Sequence, residues 1–220
     1  MSPGSVEHLP RVVGDPDEAA PSYPGPQAGA HPMRVVTEEV AADPSSWHDA
    51  QRREVAAFFD ELAPEWHTRS GPGRELPVLD AFDRGVPAGL TGPAAEVGSG
   101  TGLVSATVAE RFTPTLAVEI SPEMLRRAPA GPAHRVLADG ARLPVPDGSL
   151  AAVVLMNAFL FGPECARALR PGGVVVWINS RGPLTPIHLP AEAVVAALPG
   201  AWTATASEAG TGTWCVAVKP

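Results

Sequence analysis

Between residues 94 and 179 the chain alternates short apolar runs with helical patterns, and this alternation restricts its fold more than any other feature. Residues 94–97 precede a helical pattern over 103–112. Residues 115–120 precede a short helix that starts at Pro122 with Ser121 as its cap. Residues 135–138, 151–157 and 174–179 form the third, fourth and fifth runs. Runs apolar on both faces and separated by helices predict a parallel sheet covered on each side, because a strand with one wet face would alternate polar and apolar residues. The crossover over 139–149 is a Pro/Gly loop with little helix in it. After a helix over 191–198, two last runs at 202–207 and 213–218 are joined by Glu208-Ala209-Gly210-Thr211-Gly212, the spacing of a closing antiparallel hairpin. The expected architecture is an α/β sandwich of three layers, with a seven-stranded, mostly parallel sheet whose last strand is antiparallel.

Upstream the character differs. The first 44 residues hold eight Pro and four Gly with few large apolar side chains, and a segment so poor in buriable surface does not offset its ordering entropy. Residues 1–45 are expected to be a disordered tail, with Met33 as an alternative start, and residues 46–220 the folded domain. Within 46–92, Val55, Phe58, Phe59 and Leu62 share one helical face, which marks Phe58 and Phe59 as core, until Pro64 stops or bends the helix. A second short pattern (Val78, Leu79, Phe82) completes a helical lid segment before a Gly/Pro-rich stretch at 85–93.

Composition removes whole classes of function. With 24 acidic against 16 Lys and Arg side chains, the net charge of −8 lacks the basic footprint of a nucleic-acid binder. The longest apolar runs are far short of a membrane span, so no membrane partner is expected. Cys165 and Cys215 are the only cysteines. Two cysteines exclude a disulfide scaffold or a Cys-based zinc site, read most simply as small buried hydrophobes, and fit a reducing cytoplasm.

In an open α/β sheet, ligands bind at the carboxyl ends of the strands. The first strand delivers Glu96-Val97-Gly98-Ser99-Gly100-Thr101-Gly102 there. Three alternate glycines permit a tight turn with positive φ and close approach of a ligand to the backbone. A dinucleotide turn would have its third glycine or an alanine one place later, where this chain has Leu103, which disfavours a nicotinamide oxidoreductase. The second strand ends in Glu119, 21 residues after Gly98, a carboxylate placed to accept both hydroxyls of a ribose. The third ends in Asp139-Gly140-Ala141, an acceptor suited to the exocyclic amine of an adenine.

On these motifs the chain resembles the class I S-adenosylmethionine-dependent methyltransferases, which have a Rossmann-like fold. The matching stretches are AAEVGSGTG (94–102), LAVEISPEML (116–125), LADGARLPVPDGSLAAVV (137–154) and LRPGGVVVW (169–177). The segment FFDELAPEWHTR (58–69) is similar to the leading helix of the small-molecule branch that includes quinone-biosynthesis methyltransferases. The resemblance implies S-adenosylmethionine as cofactor and a small-molecule acceptor. It implies that Gly98, Ser99, Gly100 and Gly102 lie against the methionine part and that Glu96 holds the loop and the amino group. Glu119 would take the ribose, Ile120 and Met124 would flank the adenine, Asp139, Gly140 and Ala141 would read its edge, and Asn157 would face the sulfonium end.

Departures from the family's pattern lie near the transferred methyl. After the fourth strand the run is Asn157-Ala158-Phe159-Leu160-Phe161, without the His pair of many relatives. It also lacks the prolines of DNA amino-methyltransferases, and Cys165 follows Glu164 where a pyrimidine carbon-5 enzyme has Pro-Cys. Trp66, Phe159 and Phe161 are candidates for an apolar acceptor pocket. His67 is the candidate general base, should the acceptor need to lose a proton. A non-catalytic S-adenosylmethionine-binding or regulatory protein is the alternative reading.

Overall fold

Every residue of Ala94–Val97 (β2) and Leu150–Met156 (β5) is buried, and these two strands lie side by side at the centre of the sheet. The computed structural model describes residues 4–14, 31–69 and 73–220. From the central pair the chain winds outward in two directions. Thr115–Glu119 (β3) and His134–Leu137 (β4) follow on one side of β2. Leu169–Asn179 (β6) pairs with β5 on the other. The hairpin of Thr203–Ala209 (β7) and Gly212–Val218 (β8) closes that side, β8 running antiparallel to both β6 and β7. A two-residue turn, Gly210-Thr211, joins them, with Gly210 at φ +56°.

Alternation along the strands splits the apolar residues into two cores. Ala95, Val153, Leu155, Val175 and Trp177 face one side, where helices Gly162–Ala168 and Ala191–Ala197 pack; Ala94, Ala152, Val154, Val174 and Val176 face the other, against helices Leu76–Asp80 and Ser105–Arg111. This period-2 division is what a doubly covered sheet requires. In chain order the α-helices are α1 (Pro32–Ala42), α2 (Asp49–Leu62), α3 (Leu76–Asp80), α4 (Ser105–Arg111), α5 (Pro122–Arg127), α6 (Gly162–Ala168) and α7 (Ala191–Ala197). Ser121 caps α5 as the sequence predicts, accepting from the Met124 N–H at 3.1 Å.

The expectation of a disordered tail over residues 1–45 fails for the parts described. Val6–His8 (β1) is an eighth strand, added parallel to β7 with Val6 opposite Ala204, so the sheet has eight strands and not seven. Helix α1 buries Met33, Thr37 and Val40 at helical spacing. Arg34 donates to the carbonyls of Pro183, Thr185 and Pro186 at 2.7–3.0 Å. The ordering entropy is offset by tertiary contacts that local composition does not reveal. At the other end of this anchor, the buried Asp80 carboxylate accepts from Arg84 Nε and Trp214 Nε1, both at 2.6 Å. Arg84 also donates to the Pro10 carbonyl at 3.1 Å, fixing the chain just after β1.

Helix α2 carries the Val55, Phe58, Phe59 and Leu62 stripe and ends before Pro64, as the sequence predicts, and a 3-10 turn, Ala63–Arg69, follows. Asp60 of α2 accepts from the Ser121 hydroxyl and from the Glu123 N–H at 3.1 Å. The helical segment is thereby fastened over the carboxyl ends of β2 and β3.

Candidate active site

The turn after β2 takes positive φ at all three glycines, +70° at Gly98, +57° at Gly100 and +80° at Gly102. At Gly98 a Cβ would stand 2.6 Å from that of Ala158, so only glycine lets the end of β5 lie alongside. Gly102 donates to the Ser99 carbonyl at 2.9 Å and lies outside the cavity wall; it shapes the turn. Gly98, Ser99 and Gly100 line a cleft of about 820 Å³, a volume that includes the open solvent at its mouth.

Three acidic side chains reach this cavity from three successive strands: Glu96 from β2, Glu119 from β3 and Asp139 just after β4. Glu96 accepts from the Ser105 hydroxyl; burial raises its carboxyl to about 7, against the opposing effect of that bond. Glu119 does not stand open for two hydroxyls. It accepts from the N–H groups of Gly100, Ile120 and Ser121, each at 2.8 Å, and so ties the glycine turn to the end of β3. Burial raises its pKa as well, opposed by those three bonds. Asp139 accepts from the Ala141 N–H at 2.8 Å and from the Trp47 indole. Ala141 thus positions Asp139 and does not itself line the cavity.

Ile120, Met124 and Gly140 lie on the wall as well. Asn157 is on the wall too, at φ +53°, a conformation that Asn tolerates better than most residues. Its amide is committed elsewhere: Nδ2 donates to Ser180 Oγ at 2.9 Å and Oδ1 accepts from Ser180 N at 3.0 Å, joining the ends of β5 and β6. Asn157 thus holds the two strand ends together while lying on the cavity wall, where the resemblance expects it. Trp66, Phe159 and Phe161 all line the cavity, and so does Phe59, which the helical stripe had marked as core. His67 sits in the 3-10 turn beside Trp66, and its side chain lies outside the described residues.

Two wall residues are invisible to sequence reasoning. Trp47 precedes α2 and packs on Phe159 and Phe161 with ring centroids 5.5 and 5.3 Å apart; it belongs to no periodic pattern, and only the fold brings it to Asp139. Arg74 also lines the cavity, from the turn that leads into α3. Cys165 and Cys215 are buried, with burial pushing both thiols up to about 12, so neither is a nucleophile at neutral pH. Among the described residues, no cluster of His, Cys, Asp or Glu is placed to hold a metal ion, and no helix is long and apolar enough to cross a membrane.

Sheet order, the glycine turn at the reversal between β2 and β5, and acidic groups at the ends of three adjacent strands are the arrangement expected of the class I methyltransferase fold. Within that class, residues 95–177 match the family described as "Methyltransferase domain", Methyltransf_11. This stretch runs from β2 into β6 and contains most of the wall. No curated protein sequence matches the chain. The fold is similar to that of DhpI in its complex with SAH, at 19% identity and TM-score 0.58 over 75% of this chain and 95% of that one. It is similar to an assigned S-adenosyl-L-methionine-dependent methyltransferase of Methanococcus maripaludis, at 17% identity and TM-score 0.55 over 74% and 91%. A third similar structure is the Haloferax volcanii protein, assigned as a methyltransferase, in complex with the activator Trm112, at 18% identity and TM-score 0.53 over 74% and 97%.

The residues present fit the cofactor. It is a cation at sulfur and at its amino group, and the wall offers acidic side chains in a partly closed cleft. Gly98 and Gly100 line the cleft together with Ile120 and Met124, beside these acidic groups. When bound, S-adenosylmethionine supplies an electrophilic methyl group.

Proposed function

We propose that the protein transfers a methyl group from S-adenosylmethionine to a small-molecule acceptor. The observation that carries this reading is the roof: Trp47, Val55, Phe59 and Trp66 of the amino-terminal helical segment lie over the strand ends and line the cavity with the sheet residues. Such a covered cleft suits a compact acceptor better than a duplex or a protein surface, and the net charge of −8 agrees.

In this reading Gly98, Ser99 and Gly100 take the methionine part and Glu96 its amino group. Glu119 keeps the turn in shape and retains acceptor capacity on Oε2 for one ribose hydroxyl, since a carboxylate oxygen has two lone pairs. Ile120 and Met124 flank the adenine, and Asp139 beside Gly140 accepts from its amine. The chain's contribution to rate is alignment and exclusion of water by the aromatic roof, because displacement at a sulfonium needs no acid catalyst.

The test is calorimetric titration with S-adenosylmethionine and S-adenosylhomocysteine, beside NAD and NADP, followed by transfer of labelled methyl to separated small-molecule, protein and nucleic-acid fractions. At a hundred times their dissociation constants the adenosyl ligands should stabilise the fold by roughly 2.7 kcal/mol, and label should enter the small-molecule fraction. Label confined to protein or nucleic acid would refute the acceptor class. Binding with no transfer to any fraction would favour the non-catalytic alternative.

A further inference from the structure

We propose that Ile187 is a specificity-determining residue that packs on an apolar part of the acceptor, and that Arg34 of α1 is the positioning residue that holds it there; this rests on the methyltransfer reading above. Ile187 is buried and lines the cavity. Its carbonyl accepts from Asn179 Nδ2 at 2.6 Å, which fixes the residue at the end of β6. The sheet order β6-β5-β2-β3-β4 sets that strand end three strands from the one that carries Glu119 and four from the one that precedes Asp139, about 14 and 19 Å at the usual strand spacing. The groups proposed for ribose and adenine therefore stand on one side of the glycine turn and Ile187 on the other. At the β5 and β6 ends the wall includes Met156, Ala158 and Phe159 beside Ile187. An apolar wall of this kind selects by shape and volume, because close packing tolerates neither a void nor an overlap.

The segment that carries Ile187 is poorly suited to hold itself. Three of the nine residues over 182–190 are Pro183, Pro186 and Pro190, which have no N–H to give to a ladder, so the carbonyls here need donors from elsewhere. Arg34 supplies them. Its Nε donates to the Pro186 carbonyl at 3.0 Å, and its Nη2 donates to those of Pro183 and Thr185 at 2.9 and 2.7 Å. One planar, rigid guanidinium thus spans the carbonyls up to the residue before Ile187. On the far side of Ile187, His188 Nδ1 lies 3.4 Å from Arg34 Nη1. Burial, and then the Arg34 charge, push that imidazole down to about 4, so at neutral pH it is uncharged and does not repel the guanidinium. Ile187 is therefore bracketed by two neighbours that touch Arg34, while Asn179, itself accepting from Trp177 Nε1 at 2.9 Å, holds its carbonyl. Arg34 does not line the cavity, so its influence on an acceptor passes through this segment.

The experiment uses the full chain saturated with S-adenosylhomocysteine and three apolar probes, benzene, indole and naphthalene, followed by thermal stabilisation and calorimetry. At least one probe should bind the complex. Ile187→Trp fills the space and should weaken that probe by about ten-fold or more, with S-adenosylhomocysteine affinity within about two-fold of wild type. Ile187→Ala should shift the preference from benzene toward naphthalene. Arg34→Met keeps the length of the side chain and removes its donors. It should weaken the probe several-fold, blur the preference between benzene and naphthalene, and speed amide exchange at Ile187 and Leu189; Arg34→Lys should recover part of each effect. Failure of all three probes to bind overturns the proposal, as does probe binding that Ile187→Trp leaves unchanged. An Ile187→Trp variant that loses S-adenosylhomocysteine as strongly as the probe would place Ile187 against the cofactor and overturn it too. If Arg34→Met lowers the melting temperature but leaves the order of probe affinities as in wild type, Arg34 serves the fold alone and its positioning role falls. Absence of any stabilisation by S-adenosylhomocysteine, before a probe is added, would instead be a failure of the methyltransfer reading.

Discussion

The indole nitrogen of Trp47 lies 3.1 Å from each carboxylate oxygen of Asp139, so a residue of the roof holds the group proposed to read the adenine edge. Binding of an adenine amine at Asp139 has to share or displace that N–H. Trp47→Phe keeps the ring packing and removes the donor. It should lower stability by about 1.5–3 kcal/mol, the contribution of a hydrogen bond to a charged group, while S-adenosylhomocysteine binds several-fold more tightly. Thermal denaturation and calorimetry read the two effects. Weaker binding in the variant would mean that Trp47 holds the ligand and does not compete with it.

Glu119→Gln replaces one acceptor oxygen by an NH₂ group that faces backbone N–H donors. The glycine turn should loosen, and S-adenosylhomocysteine affinity should fall roughly ten- to a hundred-fold. Because three of the bonds at Glu119 are to the backbone, most of that loss should persist with a 2′-deoxyribose analogue. A loss that disappears with the analogue would place the whole role on the sugar.

Glu96 gives a pH dependence of definite sign. Burial raises its folded pKa to about 7 from 4.5, so the folded state holds the proton more tightly than the unfolded chain. The stabilisation is fully present below pH 4.5 and is lost as pH rises toward 7, by roughly 3 kcal/mol at most. Glu119 shifts in the same direction. Urea denaturation of Glu96→Gln between pH 5 and 8 should therefore show a flatter profile than wild type, though not a level one. An unchanged slope would assign the dependence elsewhere.

Arg84 neutralises a carboxylate that is 8% exposed. Arg84→Met leaves Asp80 charged and buried and removes one of the two donors to the Pro10 carbonyl, the Ser207 hydroxyl remaining, and should cost about 3–5 kcal/mol. Asp80→Leu combined with Arg84→Met removes both charges and should recover much of that. Equal losses in the single and double variants, by chemical denaturation, would show that packing and not charge is at stake.

A chain starting at Met33 lacks β1 and bares the outer edge of β7. Its melting temperature should fall by several degrees, since Leu9 and Val12 bond to the carbonyls of Ala206 and Glu208 at 2.8 and 2.9 Å. An unchanged melting temperature would return residues 1–32 to the status of a dispensable tail.

The central strands are legible in the sequence because burial on both faces writes itself as uninterrupted apolar runs, as at 151–156. β1 is not, since Val6-Glu7-His8 is three residues long, two of them exposed, and its place depends on a partner almost 200 residues away. Helix α1 carries a local signal, Pro32 at its first turn with Met33, Thr37 and Val40 at helical spacing; averaging composition over 44 Pro-rich residues hides it. At the site, the glycine turn and the three acidic strand ends are readable because topology fixes where strand ends lie. What those side chains bind is not: the bonds of Glu119 to Gly100 and of Asn157 to Ser180 depend on angles that spacing does not encode.

The pairing of β1 with β7 has a consequence for the order of events on the ribosome. Val6 meets Ala204, and β7 is itself held by β8 at Gly212–Val218. β1 therefore has no strand partner until Thr203–Ala209 has emerged, while β2 to β6 can already assemble. Through that interval the amino-terminal segment is a nascent-chain appendage, open to chaperones and proteases. Docking of β1 therefore waits on the closing hairpin.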